Sequence, residues 1–176
     1  MITKYDTTAD FSAFSTFAVR DTIAITTENP KDSVWYDSKA QSIISEVVNQ
    51  MQAAGYTRVP VENKSADLAI QVSAIRNVNV YVTPGYWWGW SGYADPCYWN
   101  NCYPYYYPYW YGYAVKTGTI MVEIADLKNA PKTRKLNILW SGIGSGQIGD
   151  SKSFIVDQCI KSVNQAFTQS PFFKVY

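Results

Sequence analysis

Between residues 38 and 54 apolar side chains recur at intervals of three and four. Ala40, Ile43, Ile44, Val47, Val48, Met51 and Ala54 fall on one face of a helix. Asp37 or Ser38 supplies a cap before the first turn, and Gly55 a stop after the last. A second stripe, Val156, Cys159, Ile160, Val163 and Phe167, predicts a helix over 152–168 that begins near Asp150 or Ser151 and ends before Pro171. Cys159 lies on its inward face, where a cysteine acts as a small core hydrophobe.

Between the two helices the period changes to two. Leu68, Ile70, Val72, Ala74, Val78, Val80 and Val82 are apolar at every second position except Arg76, predicting a long strand over 67–83 with one buried face. Ile120, Val122 and Ile124 repeat the pattern, and so do Leu136, Ile138 and Trp140, with the polar link "DLKNAPKTRK" between them reading as a hairpin turn. Phe14, Thr16 to Val19 and the short "TRVPV" after the first helix are weaker strand candidates. Consecutive strands with short links and only two helices predict one α+β domain over 1–176. Its expected architecture is an antiparallel or mixed sheet of about four to five strands with both helices packed on one face.

One stretch fits neither period. "GYWWGWSGYADPCYWNNCYPYYYPYWYGY", Gly85 to Tyr113, holds ten tyrosines and five tryptophans, and Asp95 is the only charged residue between Arg76 and Lys116. It interrupts two neighbouring strands as a hairpin insertion at about 84–114, so it is expected to emerge at one end of the sheet as a tip, with some rings packed on one another and on its prolines. A tip has high surface for its volume, so other rings are expected to stay exposed. Cys97 and Cys102, separated by "YWNN" after Pro96, are placed for a disulfide that would fix the shape of this segment.

Composition narrows the chemistry. Fifteen basic and fourteen acidic residues leave the chain near neutral, which argues against long-range steering of nucleic acid or an acidic membrane. The sequence contains no histidine, which removes the usual general base and the commonest metal ligand. No Ser-His-Asp or Cys-His arrangement is available, and the two loop cysteines lack the spacing and the second ligand pair of a zinc site. Acid pairs such as Asp6 with Asp10, or Glu123 with Asp126, read as solvated surface groups rather than a glycosidase pair. "GSGQIG", Gly144 to Gly149, matches G-x-G-x-x-G between a strand and a helix, but no later strand with a ribose-binding acid follows. Its glycines read instead as a bulge or a close approach of strand to helix. The expectation is a protein that is not an enzyme and uses no metal or cofactor.

The opening "KYDTTADFSAFSTFAV" resembles the D-Y-D-x-x-A-D-F-x-x-Y-x-T-F-x-W start of family 4136 of the bacterial domains of unknown function, with Asp6, Ala9, Asp10, Phe11, Thr16 and Phe17 at matching positions. The resemblance runs on through "AAGYTRV", "SADLAIQV", a Gly/Tyr/Trp-rich insertion, "GTIMVEIAD" and "LWSGIGSGQI". It implies an envelope lipoprotein on the periplasmic or cell-surface side, anchored in the outer membrane by an N-terminal lipid on a cysteine ahead of this sequence, with Met1 standing where the leader would be. It supplies no catalytic residues.

Exposed tyrosine and tryptophan suit three kinds of partner. Trp87, Trp88, Trp90, Trp99 and Trp110 are the expected anchors for another protein or a second copy of the chain. A glycan is the alternative, with Asp95, Asn100 and Asn101 meeting its hydroxyl groups. Contact with a membrane interface ranks third. Single-stranded nucleic acid is not expected, because the segment lacks the basic residues that track a phosphate backbone.

Overall fold

The computed structural model describes residues 1–26, 34–63, 65–76, 80–81, 97–98, 101–102, 105–106, 114–115, 118–149 and 154–173. In chain order its strands are β1 (Ile2–Tyr5), β2 (Thr16–Val19), β3 (Ile23–Thr26), β4 (Val34–Trp35), β5 (Thr57–Arg58), β6 (Leu68–Ile75), β7 (Val80–Tyr81), β8 (Cys97–Tyr98), β9 (Asn101–Cys102), β10 (Tyr105–Tyr106), β11 (Ala114–Val115), β12 (Thr119–Asp126) and β13 (Leu136–Gly144). The helices are α1 (Ser38–Ala53), α2 (Ala130–Thr133) and α3 (Val156–Thr168).

Among the described residues, nine strands form one mixed sheet whose main order is β1-β13-β12-β6-β2-β5. β12 pairs antiparallel with both β13 and β6, while β2 and β3 run parallel to β6. The α+β class with a mixed sheet is therefore as expected, but the sheet is wider than four to five strands and α2 is a third, one-turn helix. β1, β3 and β4 escaped the reading because each is only two to four residues long, too short to display a period.

α1 begins where its cap chemistry places it. The Asp37 carboxylate accepts from the backbone N–H groups of Lys39 at 2.9 Å and Ala40 at 3.0 Å, and Gly55, at φ 101, follows the last turn. Its buried stripe, Ile43, Ile44, Val47 and Met51, meets Cys159, Val163 and Phe167 of α3 and the sheet residues Leu68, Ile70, Val72, Ile120, Val122, Ile124 and Trp140 in one core. Both helices thus cover one face of the sheet, and Leu68, Ile70 and Val72 carry the buried register expected of them.

Three element boundaries require correction. α3 starts at Val156 rather than near Asp150, because Phe154 forms an antiparallel bridge with Ile148 and the Ile155 N–H donates to the Gln147 carbonyl at 2.8 Å, holding the chain extended up to the helix. β6 ends at Ile75 rather than at 83, and Val80–Tyr81 pairs instead with β11. The link between β12 and β13 contains α2, which Arg134 ends in the left-handed conformation at φ 53.

The expectation of a single buried face is also corrected. Every residue of β6 and β12 is buried, so the second face of the sheet is covered as well. Ala18, Ala69, Ala125, Leu127, Ala130, Leu136 and Ile138 form a smaller cluster there, with Val59 and Val61 against it.

Candidate functional site

The aromatic insertion pairs with the main sheet through one short strand. β7 and β11 pair antiparallel where the chain leaves β6 and returns to β12, as a hairpin insertion requires. β10, however, lies parallel to β13 at Leu136 and Asn137, and Asn137 is the partner of Asp126 at the far end of β12. The distance from the Ile75 end of β6 to its Leu68 end is about 23 Å for a strand of this length. The insertion is therefore not only a tip, since part of it extends the main sheet.

Within the insertion, Cys97 lies opposite Cys102 and Tyr98 opposite Asn101 in the antiparallel β8–β9 ladder. Of the expected contact residues, Asn101 belongs to that ladder, whereas Trp87, Trp88, Trp90, Asp95, Trp99, Asn100 and Trp110 lie outside the described residues.

Asp10 is exposed, as expected, and Asp6 half-buried, but Glu123 and Asp126 are not solvated surface groups. Glu123 is 1% exposed and stands mid-strand, opposite Ser141 on β13 and Gln71 on β6, so one row of polar side chains crosses three adjacent strands. Ser73 is buried beside this row, and Gln71 donates to its hydroxyl at 3.3 Å. Asp126 is buried for a different reason: its carboxylate accepts from the Asn129 backbone N–H at 2.9 Å and side-chain amide at 2.8 Å, closing the turn into α2. The polar row was missed because Gln71, Glu123 and Ser141 occupy the alternate positions that a strand ordinarily gives to water. No local signal marks the row, because its members reach matching positions only when β6, β12 and β13 are aligned.

The other acids are structural. Asp6 accepts from the Thr8 N–H and hydroxyl at 2.9 and 2.7 Å, and Asp10 from the Ser12 N–H and hydroxyl at 3.0 and 2.6 Å, both tightening turns. Asp67 accepts from the N–H groups of Ser15 at 2.7 Å and Thr16 at 3.2 Å, tying the start of β2 to the start of β6. Among the described residues no three of the metal-ligating acids and cysteines come together. An open depression of about 300 Å³ beside β5, lined by Val19, Asp21 and Arg58 to Glu62, is crossed by the Arg58–Asp21 ion pair at 2.9 Å and holds none of the expected contact residues.

"GSGQIG" has the close-approach role. A side chain at Gly144 would stand 2.8 Å from Ser162 of α3, and Gly146 takes φ +83. Gln147 then donates its side-chain amide to the Ser162 hydroxyl at 3.0 Å and its backbone N–H to the Gly118 carbonyl at 2.8 Å. Cys159 is fully buried, and burial pushes its thiol up to about 12, so it is unreactive at neutral pH.

The family model described as "Domain of unknown function (DUF4136)" matches residues 1–172. The chain belongs to the DUF4136 family. A crystal structure of a DUF4136 family protein from Bacteroides thetaiotaomicron is 32% identical, with a TM-score of 0.79 over 99% of this chain and 97% of that one. Two PelC dodecamer structures from Paraburkholderia phytofirmans are each 17% identical, with TM-scores of 0.44 and 0.42, covering 99% and 97% of this chain and 99% and 98% of theirs. No curated protein matches the sequence.

The residues that resemble the DUF4136 opening motif have structural work. Asp6 and Asp10 hold turns, Phe11 and Phe17 are buried in the core, and the Thr16 hydroxyl accepts from the Asp67 N–H at 3.0 Å. No helix among the described residues is long and apolar enough to cross a membrane.

Proposed function

We propose that this DUF4136 domain is a non-enzymatic envelope lipoprotein whose Tyr/Trp-rich insertion is a contact surface for another protein or for a second copy of the chain. The observation that carries the reading is compositional and topological together. Fifteen aromatic rings and a single charge occupy one insertion, and one of its segments, β10, is pinned to the domain at β13. Pinning limits the freedom that a contact loop must lose on binding, which favours affinity. Tyrosine and tryptophan are the residues that supply most of the energy in protein contacts. Placement on the periplasmic or cell-surface side, with an N-terminal lipid anchor in the outer membrane, rests on the resemblance of the opening motif to envelope lipoproteins.

The test is a pull-down from envelope extract with the intact domain beside a variant carrying a Gly/Ser linker in place of residues 86–113. A protein recovered only by the intact domain, or self-association in sedimentation lost with the insertion, is the expected result. Recovery of the same material by both versions overturns the reading, and selective recovery of cell-wall glycan replaces it with the glycan alternative.

A further inference from the structure

We propose that Cys97 and Cys102 form an intramolecular disulfide that staples the β8–β9 hairpin, and that the chain matures where a disulfide carrier can oxidise it. The two residues are direct partners in an antiparallel ladder. Residues opposed in this way have Cα atoms roughly 4.5–5.5 Å apart. That separation lies within the range of about 4.4–6.8 Å that a disulfide spans, so no backbone movement is needed to close the bond. Each strand is only two residues long, so the hairpin gains little from its own ladder. The covalent link is what makes such a unit hold one shape.

The third cysteine cannot substitute for either partner. Cys159 lies in the core beneath the helices, fully buried, and is a free thiol. The pairing therefore has one outcome within the chain.

Oxidation proceeds by exchange. The thiolate of one loop cysteine attacks a sulfur of the carrier's disulfide, forming a mixed disulfide and releasing the carrier's other sulfur as a thiolate. The second loop thiolate then attacks the chain's own sulfur in that mixed bond and displaces the carrier's remaining sulfur. Two thiols of this chain are oxidised, one carrier disulfide is reduced to a dithiol, and the two protons end on the carrier. This inference is independent of what the insertion contacts.

The experiment counts thiols in full-length protein secreted through an oxidising compartment, with free thiols quenched at lysis. Alkylation after denaturation without reductant is expected to label one cysteine, Cys159, and alkylation after reduction to label all three. The Cys97→Ser variant is expected to show two labels without reductant, at Cys102 and Cys159, in monomeric protein. Three labels in the unreduced parent overturns the proposal. So does an absence of labels in Cys97→Ser, because Cys102 would then have paired with Cys159. A parent that runs as a disulfide-linked dimer overturns it as well.

Discussion

The Tyr56 hydroxyl donates to the carbonyl of Phe11 at 3.1 Å, joining the residue after the α1 stop to the opening turn of the chain. Tyr56 is buried, and desolvation, reinforced by the charge of Asp10, pushes its phenol up to about 12. The phenol is neutral when protonated, so a folded pKa above the unfolded value near 10 means that stability is fully present below about pH 10. It is lost as pH rises from there through about 12, by about 2–3 kcal/mol at the end of the transition. Urea unfolding across this range is expected to show the loss in the parent. Tyr56→Phe is expected to be about 1 kcal/mol less stable at neutral pH and to lack this tyrosine's alkaline component. The remaining tyrosines titrate in both proteins, so the difference between the two curves isolates Tyr56.

At the other end of α1, Asp37 gathers three donors on one carboxylate oxygen: the N–H groups of Lys39 and Ala40, and the Trp35 indole at 2.7 Å. The Ala40 N–H is the largest cause holding its carboxyl below the ordinary range, with Trp35 and Lys39 contributing. A depressed folded pKa stabilises the domain above the unfolded value and ceases to do so as pH falls through the folded one. Asp37→Ala is expected to cost about 1 kcal/mol by thermal or urea unfolding, and Asp37→Asn much less at neutral pH, because asparagine caps nearly as well. Acid titration separates them further: the parent loses its advantage over Asp37→Asn as the carboxyl protonates.

The start of α1 was legible because Asp37 acts locally, on N–H groups two and three residues ahead. The start of α3 was not. Its position is set by the Ile148–Phe154 bridge, a contact between segments whose pairing no local signal announces. The same distinction divides the candidate site. The aromatic insertion is conspicuous as composition, whereas the buried row Gln71, Glu123 and Ser141 exists only once β6, β12 and β13 are aligned, and its polarity reads as exposure until both sheet faces are known to be covered. β10 shows the same limit: two tyrosines among ten in the segment give no hint that Tyr105 pairs with Leu136.

Glycines on β13 provide a graded test of the close approach to α3. A methyl group at Gly142 would stand 2.7 Å from the Trp140 ring and 2.9 Å from Ala166, and one at Gly144 2.8 Å from Ser162. Trp140 is fully buried and its indole donates to the Ser170 hydroxyl at 2.9 Å, so the ring has little room to yield. Ser162 is only half-buried on its helix. Gly142→Ala is therefore expected to cost about 3 kcal/mol and Gly144→Ala about 1–2. Gly146→Ala meets nothing within 4 Å, and its expected cost of about 1 kcal/mol is conformational, from φ +83. Equal costs at the three positions would show that backbone strain, not packing against the helix, explains them.

Contact and core are separable roles for the tryptophans of the insertion. Among the described residues, the main core draws on β2, β3, β6, β12, β13, α1, α3 and their flanks. On the contact-surface proposal, replacing Trp87, Trp88, Trp90, Trp99 or Trp110 one at a time is expected to leave the thermal midpoint of the domain close to the parent's. Tryptophan brings a large apolar area with few torsions to freeze, so truncating a central anchor is expected to weaken binding of the recovered partner by about 2 kcal/mol or more, and truncating a rim tyrosine by well under 1. Point substitutions are the sharper arm, because replacing all of 86–113 also removes β10 and uncovers the β13 edge at Leu136 and Asn137. Binding titrations and thermal melts on the same five variants decide between the two roles. Affinity that falls while the melts hold identifies a contact surface. Melts that fall while the folded fraction binds unchanged identify a second core, and the aromatic stretch would then serve the fold that carries it.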